Sequence, residues 1–195
     1  MRSTVILAIN NEENIIPSIL SVIESEKKPN NFCIAMNLNV SDNIKGVVNA
    51  FLKSCCDGSE YREEYNKDSI VAKKIQPDFI ITSIISGNPI KDSYKSLKGE
   101  TDVFFTMRGN TRYDKSYIDK IMSSFDNMTG LVYSDFVFNG KRIYLESLNL
   151  NNIPEIAFRK EILSDDPAVF DCADIIRAAY SKSIVRHIPQ ALYAL

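Results

Sequence analysis

The side chains best suited to chemistry lie in one short loop and at one helix start. Arg108, Gly109 and Asn110 follow an apolar stretch, Asp102 to Met107, that reads as a buried strand. A guanidinium at Arg108 can make paired hydrogen bonds to phosphate oxygens, and Lys91, Lys95 and Arg112 lie near it in sequence as further cations. The same guanidinium would repel a divalent cation, leaving the carbonyl oxygen of Asn110 as a single weak ligand. Asp171 opens a helix-like stretch. A carboxylate there favours the positive end of the helix. Asp165 and Asp166 precede Pro167 and read as a turn, with a cation site as the other use of the pair.

Other chemistries lack their parts. The single histidine, His187, excludes a histidine-based zinc site. Cysteine–histidine catalysis would need His187 to meet Cys33 or Cys172. Cys33, Cys55, Cys56 and Cys172 show no paired metal spacing, and adjacent Cys55 and Cys56 are poor disulfide partners, so free thiols in a reducing cytosol are expected. No Gly-x-Gly-x-x-Gly follows a strand and no Gly-Lys-Ser/Thr loop is present, so dinucleotide and P-loop sites lack their glycine framework.

Strand and helix patterns alternate along most of the chain, the mark of an α/β sheet. Thr4 to Ile9 reads as a buried strand. Asn10 or Asn11 is placed to cap a helix with Glu12 and Glu13 at its positive end, Pro17 in its early turns, and an apolar face of Ile15, Ile19 and Ile23 beside Ile16 and Leu20. Lys27, Lys28 and Pro29 stop it. Phe32 to Met36 is a second strand. Ser41 or Asp42 then caps a helix whose Ile44, Val47, Val48, Phe51 and Leu52 face the core. Asp57 to Asp78 is charged and reads as a solvated helix or variable loop. Phe79 to Ile85 resumes as a strand, and Ile90, Tyr94 and Leu97 mark a short helix. Arg108 to Tyr113 reads as a loop, Lys115 to Phe125 as a helix and Gly130 to Asp135 as a strand. Asn139-Gly140 predicts a type I′ hairpin. Asp171 to Ser181 reads as a helix, and Ile184 to Ile188 as a terminal strand with His187 in it.

A chain of 195 residues with 45% hydrophobic content can bury one substantial core, so one domain over 1–195 is expected. A formal charge of −2 argues against nucleic acid. No apolar run approaches a membrane span, and the first nine residues are a poor signal peptide. The expectation is a cytoplasmic protein.

The order of segments resembles the family 2 glycosyltransferases of the GT-A fold, over nearly the whole chain and as a succession of short matches. Val5 to Ile15 is similar to the family's opening strand and turn, with Leu7 in place of a proline and Ile9 in place of the aromatic that stacks on the base. Phe32 to Asn43 resembles the second strand and its acidic turn. Asp42 and Asn43 are kept, but Asn37, or Leu38 one register on, replaces the carboxylate that reads the base edge. Tyr113 is the other aromatic surface at hand. Phe170 to Tyr193 resembles the Glu-Asp-x-Asp-x-x-x-Arg helix and the His-Ile-Pro-x-x-Leu-Tyr ending. Asp171 falls on the catalytic aspartate and Arg177 on the helix arginine, while Phe170 replaces the glutamate. The family's Asp-x-Asp triplet becomes Arg108-Gly109-Asn110.

This resemblance implies an α/β, GT-A (Rossmann-like) three-layer fold with a mixed, mostly parallel central sheet. It implies inverting transfer of a sugar from a UDP- or GDP-sugar to an unknown acceptor. Asp171 is then the catalytic base, and Ala8, Asn10, Asn37, Lys91, Arg108 and Asn110 bind the nucleotide sugar. Mn²⁺ or Mg²⁺ would be the family's cation, but its usual ligands are missing and Asn110 is the one remnant. Either Arg108 does the cation's work, or the chain is a catalytically inactive GT-A-like binding or scaffold protein, or Arg108 and Arg112 sit on a solvated loop. The chain stops soon after Tyr193, where many relatives continue, so the expectation is a poorly built acceptor side unless another subunit, as in a homo-oligomer, completes it.

Overall fold

Ser3 to Ile9 is a β-branched, apolar run with no polar alternation, the pattern of a strand covered on both faces. It forms β1 (Ser3–Ile9), the centre of the structure. The computed structural model describes residues 1–10, 14–55, 79–148, 155–163 and 172–195, and the backbone of 61–65 and 69–76. After β1 come α1 (Ile16–Ile23), β2 (Asn31–Asn37), α2 (Asp42–Ser54), β3 (Tyr61–Tyr65), β4 (Ser69–Gln76), β5 (Phe79–Ser86), α3 (Pro89–Leu97) and β6 (Val103–Arg108). Then follow β7 (Arg112–Tyr113), α4 (Tyr117–Ser123), β8 (Thr129–Phe138), β9 (Lys141–Ile143), β10 (Ile156–Arg159), α5 (Cys172–Lys182) and β11 (Ile184–Ala194).

The strands form one sheet in the order β3-β4-β5-β2-β1-β6-β10-β8-β11-β7, with β9 paired to β8. β5, β2, β1 and β6 run parallel to one another. β10 is antiparallel to both β6 and β8, and β11 is parallel to β8. This is the mixed, mostly parallel α/β sheet that the resemblance implies. Helices pack on both faces: Tyr94 of α3 lies against Phe104 at 4.9 Å, while Tyr117 of α4 meets Phe105 edge-on at 5.9 Å. Successive strand residues point to opposite faces, so these two contacts put α3 and α4 on opposite sides. α5 packs over β8, β10 and β11.

Several elements differ from the sequence-based expectation. α1 begins at Ile16 with Ile15 as its N-cap, not at Asn10, and Asn11, Glu12 and Glu13 lie outside the described residues. Pro17 explains the start, since a residue without an N–H fits only the first turn. The helix ends at Ile23, before Lys27 and Lys28. Its buried face is Ile15, Ile19 and Val22, whereas Ile16 and Leu20 point outward. Within the stretch 57–78, the described residues form β3 and β4, not a helix or loop. Pairing of β4 along β5, from Ser69 opposite Ile85 to Gln76 opposite Phe79, supplies what local patterning does not show. β11 runs on past Ile188 to Ala194, with register shifts around Pro189; proline cannot donate to the ladder, so the strand bulges there.

Other expectations hold. Ser41 caps α2, its Oγ accepting from the Ile44 N–H at 3.4 Å. The β8–β9 hairpin turns at Asn139 (φ 49°) and Gly140 (φ 74°), the positive pair that a type I′ turn requires.

Candidate functional site

Because β5, β2, β1 and β6 are parallel, their carboxyl ends share one edge of the sheet. The chain steps from β1 to β2 on one side and later returns to β6 on the other, and such a switch point opens a crevice at the carboxyl ends. The expected binding residues collect along this edge. Ala8 is in register with Ala35 on one side and Arg108 on the other. Asn10 follows β1, Asn37 ends β2 opposite Ser86, and Lys91 lies in the first turn of α3 just beyond β5. Arg108 ends β6, so it is the last strand residue rather than part of the loop, and Asn110 follows it as an exposed residue. The Asn37 Oδ1 accepts from the Asn39 N–H at 3.1 Å, which turns the chain away from the strand end.

Arg108 has a partner that sequence reading missed. Glu155 lies just before β10 and is 2% exposed. Its Oε1 accepts from the Arg108 main-chain N–H at 3.1 Å, from Arg108 Nε at 2.9 Å and from Thr111 Oγ1 at 2.7 Å. Its Oε2 accepts from Thr106 Oγ1 at 3.2 Å, and its own N–H donates to the Tyr193 hydroxyl oxygen at 2.9 Å. Burial works against the Arg108 charge, and the adjacent Glu155 carboxylate more than offsets it, holding the guanidinium protonated. Half of the Arg108 side chain remains exposed, 48%. Arg108 therefore ends a strand and is paired with a buried carboxylate, and Arg112 is an exposed residue of β7, so neither sits on a solvated loop. No local signal marks Glu155, since 47 residues separate it from Arg108 and only the β6–β10 pairing joins them.

The loop after β6 is anchored from below. Ser18 of α1 donates through Oγ to the Gly109 carbonyl at 2.6 Å, and the Tyr113 hydroxyl donates to the Thr106 carbonyl at 2.6 Å. Tyr113 is buried against Tyr117, centroids 4.1 Å apart, and burial drives its hydroxyl pKa well up. It is thus core, not an aromatic surface for a base.

These residues do not fit a divalent cation. The carboxylate meeting the loop, Glu155, is already engaged by Arg108, Thr106 and Thr111, and Asn110 offers one neutral oxygen where a hard cation wants several charged ones. Among the described residues no three His, Cys, Asp or Glu side chains gather as a metal site needs.

Asp171, like the Asp165–Asp166 pair, lies outside the described residues. Its neighbour Cys172 opens α5. His187 meets neither Cys33 nor Cys172. Its Nε2 lies 2.8 Å from Asp135 Oδ1, and Cys33 is buried, donating to Ser93 Oγ at 3.1 Å. Cys33 is a free thiol. A hollow of about 790 Å³ lined by Thr129, Gly130, Tyr180 and Ile184 lies at the opposite edge, where β8 and β11 begin. It is separate from the candidate site, because the switch point, Lys91 and Arg108 lie at the other end of the strands. No described helix is long and apolar enough to cross a membrane.

No protein-family model matches the sequence, and no curated protein matches it. Solved structures do match in fold. Staphylococcus aureus TarS (residues 1–349) in complex with UDP superposes with a TM-score of 0.67 at 13% identity, covering 100% of this chain and 60% of that one. Glucosyl-3-phosphoglycerate synthase from Mycobacterium tuberculosis, with Mn²⁺, UDP and phosphoglyceric acid, gives 0.54 at 11% identity, covering 99% and 70%. 4-Diphosphocytidyl-2C-methyl-D-erythritol synthase from Anaerococcus prevotii gives 0.56 at 9% identity, covering 96% and 86%. The chain thus spans about 60% of the TarS chain that it matches. At such identities the shared property is the fold, a GT-A-like α/β architecture with a mostly parallel central sheet.

Proposed function

We propose that the chain transfers a sugar from a nucleoside diphosphate sugar to an acceptor hydroxyl, with inversion and without a divalent metal. The observation that carries this reading is a fixed, half-exposed guanidinium, Arg108, at the carboxyl end of β6 beside the switch point. The match to TarS in complex with UDP and to a UDP-bound glucosyl-3-phosphoglycerate synthase supports a nucleoside diphosphate as the ligand class. In this reading Ala8, Asn10 and Asn37 line the nucleoside end, and Lys91 adds positive charge from α3. The whole of 1–195 acts as one domain.

In the transfer, the acceptor hydroxyl gives its proton to the Asp171 carboxylate as its oxygen attacks the anomeric carbon from the face opposite the leaving group. The bond from that carbon to the diphosphate oxygen breaks, and the electron pair leaves with the nucleoside diphosphate. Arg108 stabilises the charge gathering there, a task for which a guanidinium matches phosphate oxygens in pairs. Its position before substrate arrives means little reorganisation in the reaction.

Calorimetric titration of the full chain with UDP, GDP and their sugars, with Mn²⁺ or with EDTA, tests this. The expected result is binding in EDTA that weakens roughly 10- to 100-fold in Arg108→Ala, the worth of a charge-assisted hydrogen bond. A strict requirement for Mn²⁺ would sink the guanidinium role. A folded protein that binds no nucleotide would leave the scaffold reading in its place.

A further inference from the structure

We infer that Glu155 is the positioning residue of the diphosphate site: it holds Arg108 in the geometry that a diphosphate takes up. This rests on the nucleoside-diphosphate reading given above. A single oxygen, Glu155 Oε1, accepts from both the main-chain N–H and the Nε of Arg108, at 3.1 Å and 2.9 Å. The residue is thereby gripped at its root and near its tip, and the rotatable bonds between are restrained before any ligand arrives. Preorganised cations bind better because the side-chain entropy is already lost.

Three features separate this from an ion pair that only stabilises the fold. The carboxylate is 2% exposed, whereas 48% of the Arg108 side chain is exposed. A purely structural pair has no need to leave its cation at the surface. Glu155 is itself fixed, by Thr111 Oγ1 at 2.7 Å, by Thr106 Oγ1 at 3.2 Å and by its N–H to Tyr193. Thr106 and Thr111 bracket Arg108 in sequence, so the same carboxylate sets the path of the chain on both sides of the guanidinium. Finally, the pair stands at the carboxyl end of β6, where the crevice opens, and not along the strand interior.

Glu155 also carries charge of the wrong sign for a diphosphate. A carboxylate acting only through its field would weaken binding, so its removal would tighten it. The positioning role predicts the reverse.

The test is a double-mutant cycle read by calorimetry with UDP in EDTA, using the full chain as wild type, Glu155→Gln, Arg108→Ala and the double variant. Glutamine keeps the shape but replaces the charge-assisted bonds to Arg108 with weaker neutral ones, which hold the guanidinium less firmly. Glu155→Gln should bind UDP on the order of tenfold more weakly, and the double variant should bind no more weakly than Arg108→Ala alone, because Glu155 acts through Arg108. Thr111→Val, which removes one support of the carboxylate, should give a smaller loss and serves if the glutamine variant fails to fold. Unchanged or tighter UDP binding in both Glu155→Gln and Thr111→Val overturns the proposal, as does a loss that adds to that of Arg108→Ala. In those cases the wild type still binds UDP and the nucleotide reading survives. Absence of UDP binding by the folded wild type overturns both.

Discussion

The imidazole of His187 and the carboxylate of Asp135 form a dyad: Nε2 lies 2.8 Å from Oδ1, and Asp135 has no exposed surface. The ring lies nearly parallel to Tyr133, centroids 4.8 Å apart. The same carboxylate accepts from Arg142 Nη2 at 2.9 Å and from the Leu145 N–H at 3.0 Å. An ionised carboxylate only accepts, so the His187 hydrogen is on Nε2. Asp135 therefore ties β8 to β11 and to the end of the β8–β9 hairpin.

Removing that hub leaves the buried Leu145 N–H and two side chains without their acceptor. Asp135→Ala should cost about 2–4 kcal/mol and Asp135→Asn about half as much, since asparagine can still accept from Leu145. Urea unfolding of the two variants measures both. A loss under about 0.5 kcal/mol in Asp135→Ala, the range of an ordinary surface change, would contradict the hub role.

Acid should weaken the fold through the same residue. Burial by itself would raise the Asp135 pKa, but hydrogen bonds from Leu145, Arg142 and His187 outweigh it and hold the pKa below its ordinary value. A depressed folded-state pKa means stability that is fully present above the unfolded value, about 3.9. It is lost as pH falls from there through the folded value. The urea midpoint should fall below about pH 4 less steeply in Asp135→Asn than in the wild type; equal slopes would remove Asp135 from the account.

Cys33 should be silent toward thiol reagents in the folded protein. Burial drives its pKa up to about 12, against a smaller lowering by its hydrogen bond to Ser93. The thiolate is the reactive form. Mass spectrometry after iodoacetamide treatment should find Cys172 and Cys55, both partly exposed, labelled well before Cys33. Early labelling at Cys33 would mean that β2 opens in solution.

The hairpin turn offers a clean backbone test. Gly140 has φ 74° and open space where a Cβ would stand, so a methyl group there meets no neighbour and acts only through backbone strain. Gly140→Ala should lower stability by about 1 kcal/mol, whereas Asn139→Gly should change it little. Thermal unfolding distinguishes them.

Much of the scaffold is legible from one sequence. β1, β2, β5 and β6 are readable because each is a run of β-branched and aromatic residues buried on both faces. The Asn139-Gly140 turn is readable because its two positive φ angles suit few other residues. β3 and β4 are not, since their charged stretch becomes sheet only by pairing with β5. The polar residues after β1 suggest an early start for α1, whereas the proline at its second position sets the true one. Tyr113 reads from the sequence as an aromatic surface with nothing to place it, and packing against Tyr117 makes it core.

Residue types and order along the chain are enough to read the alternation of strands and helices and the α/β fold class. These follow from local propensity and periodicity, which act over a few residues. Pairing across the sheet is needed to bring Glu155 to Arg108 over 47 positions and Asp135 to His187 over 52. Neither partner carries a local signature, because a buried carboxylate is explained only by the donors that surround it, and those donors come from strands distant in sequence. The candidate site thus rests on residues visible in the sequence and on supports that exist only once the sheet has formed.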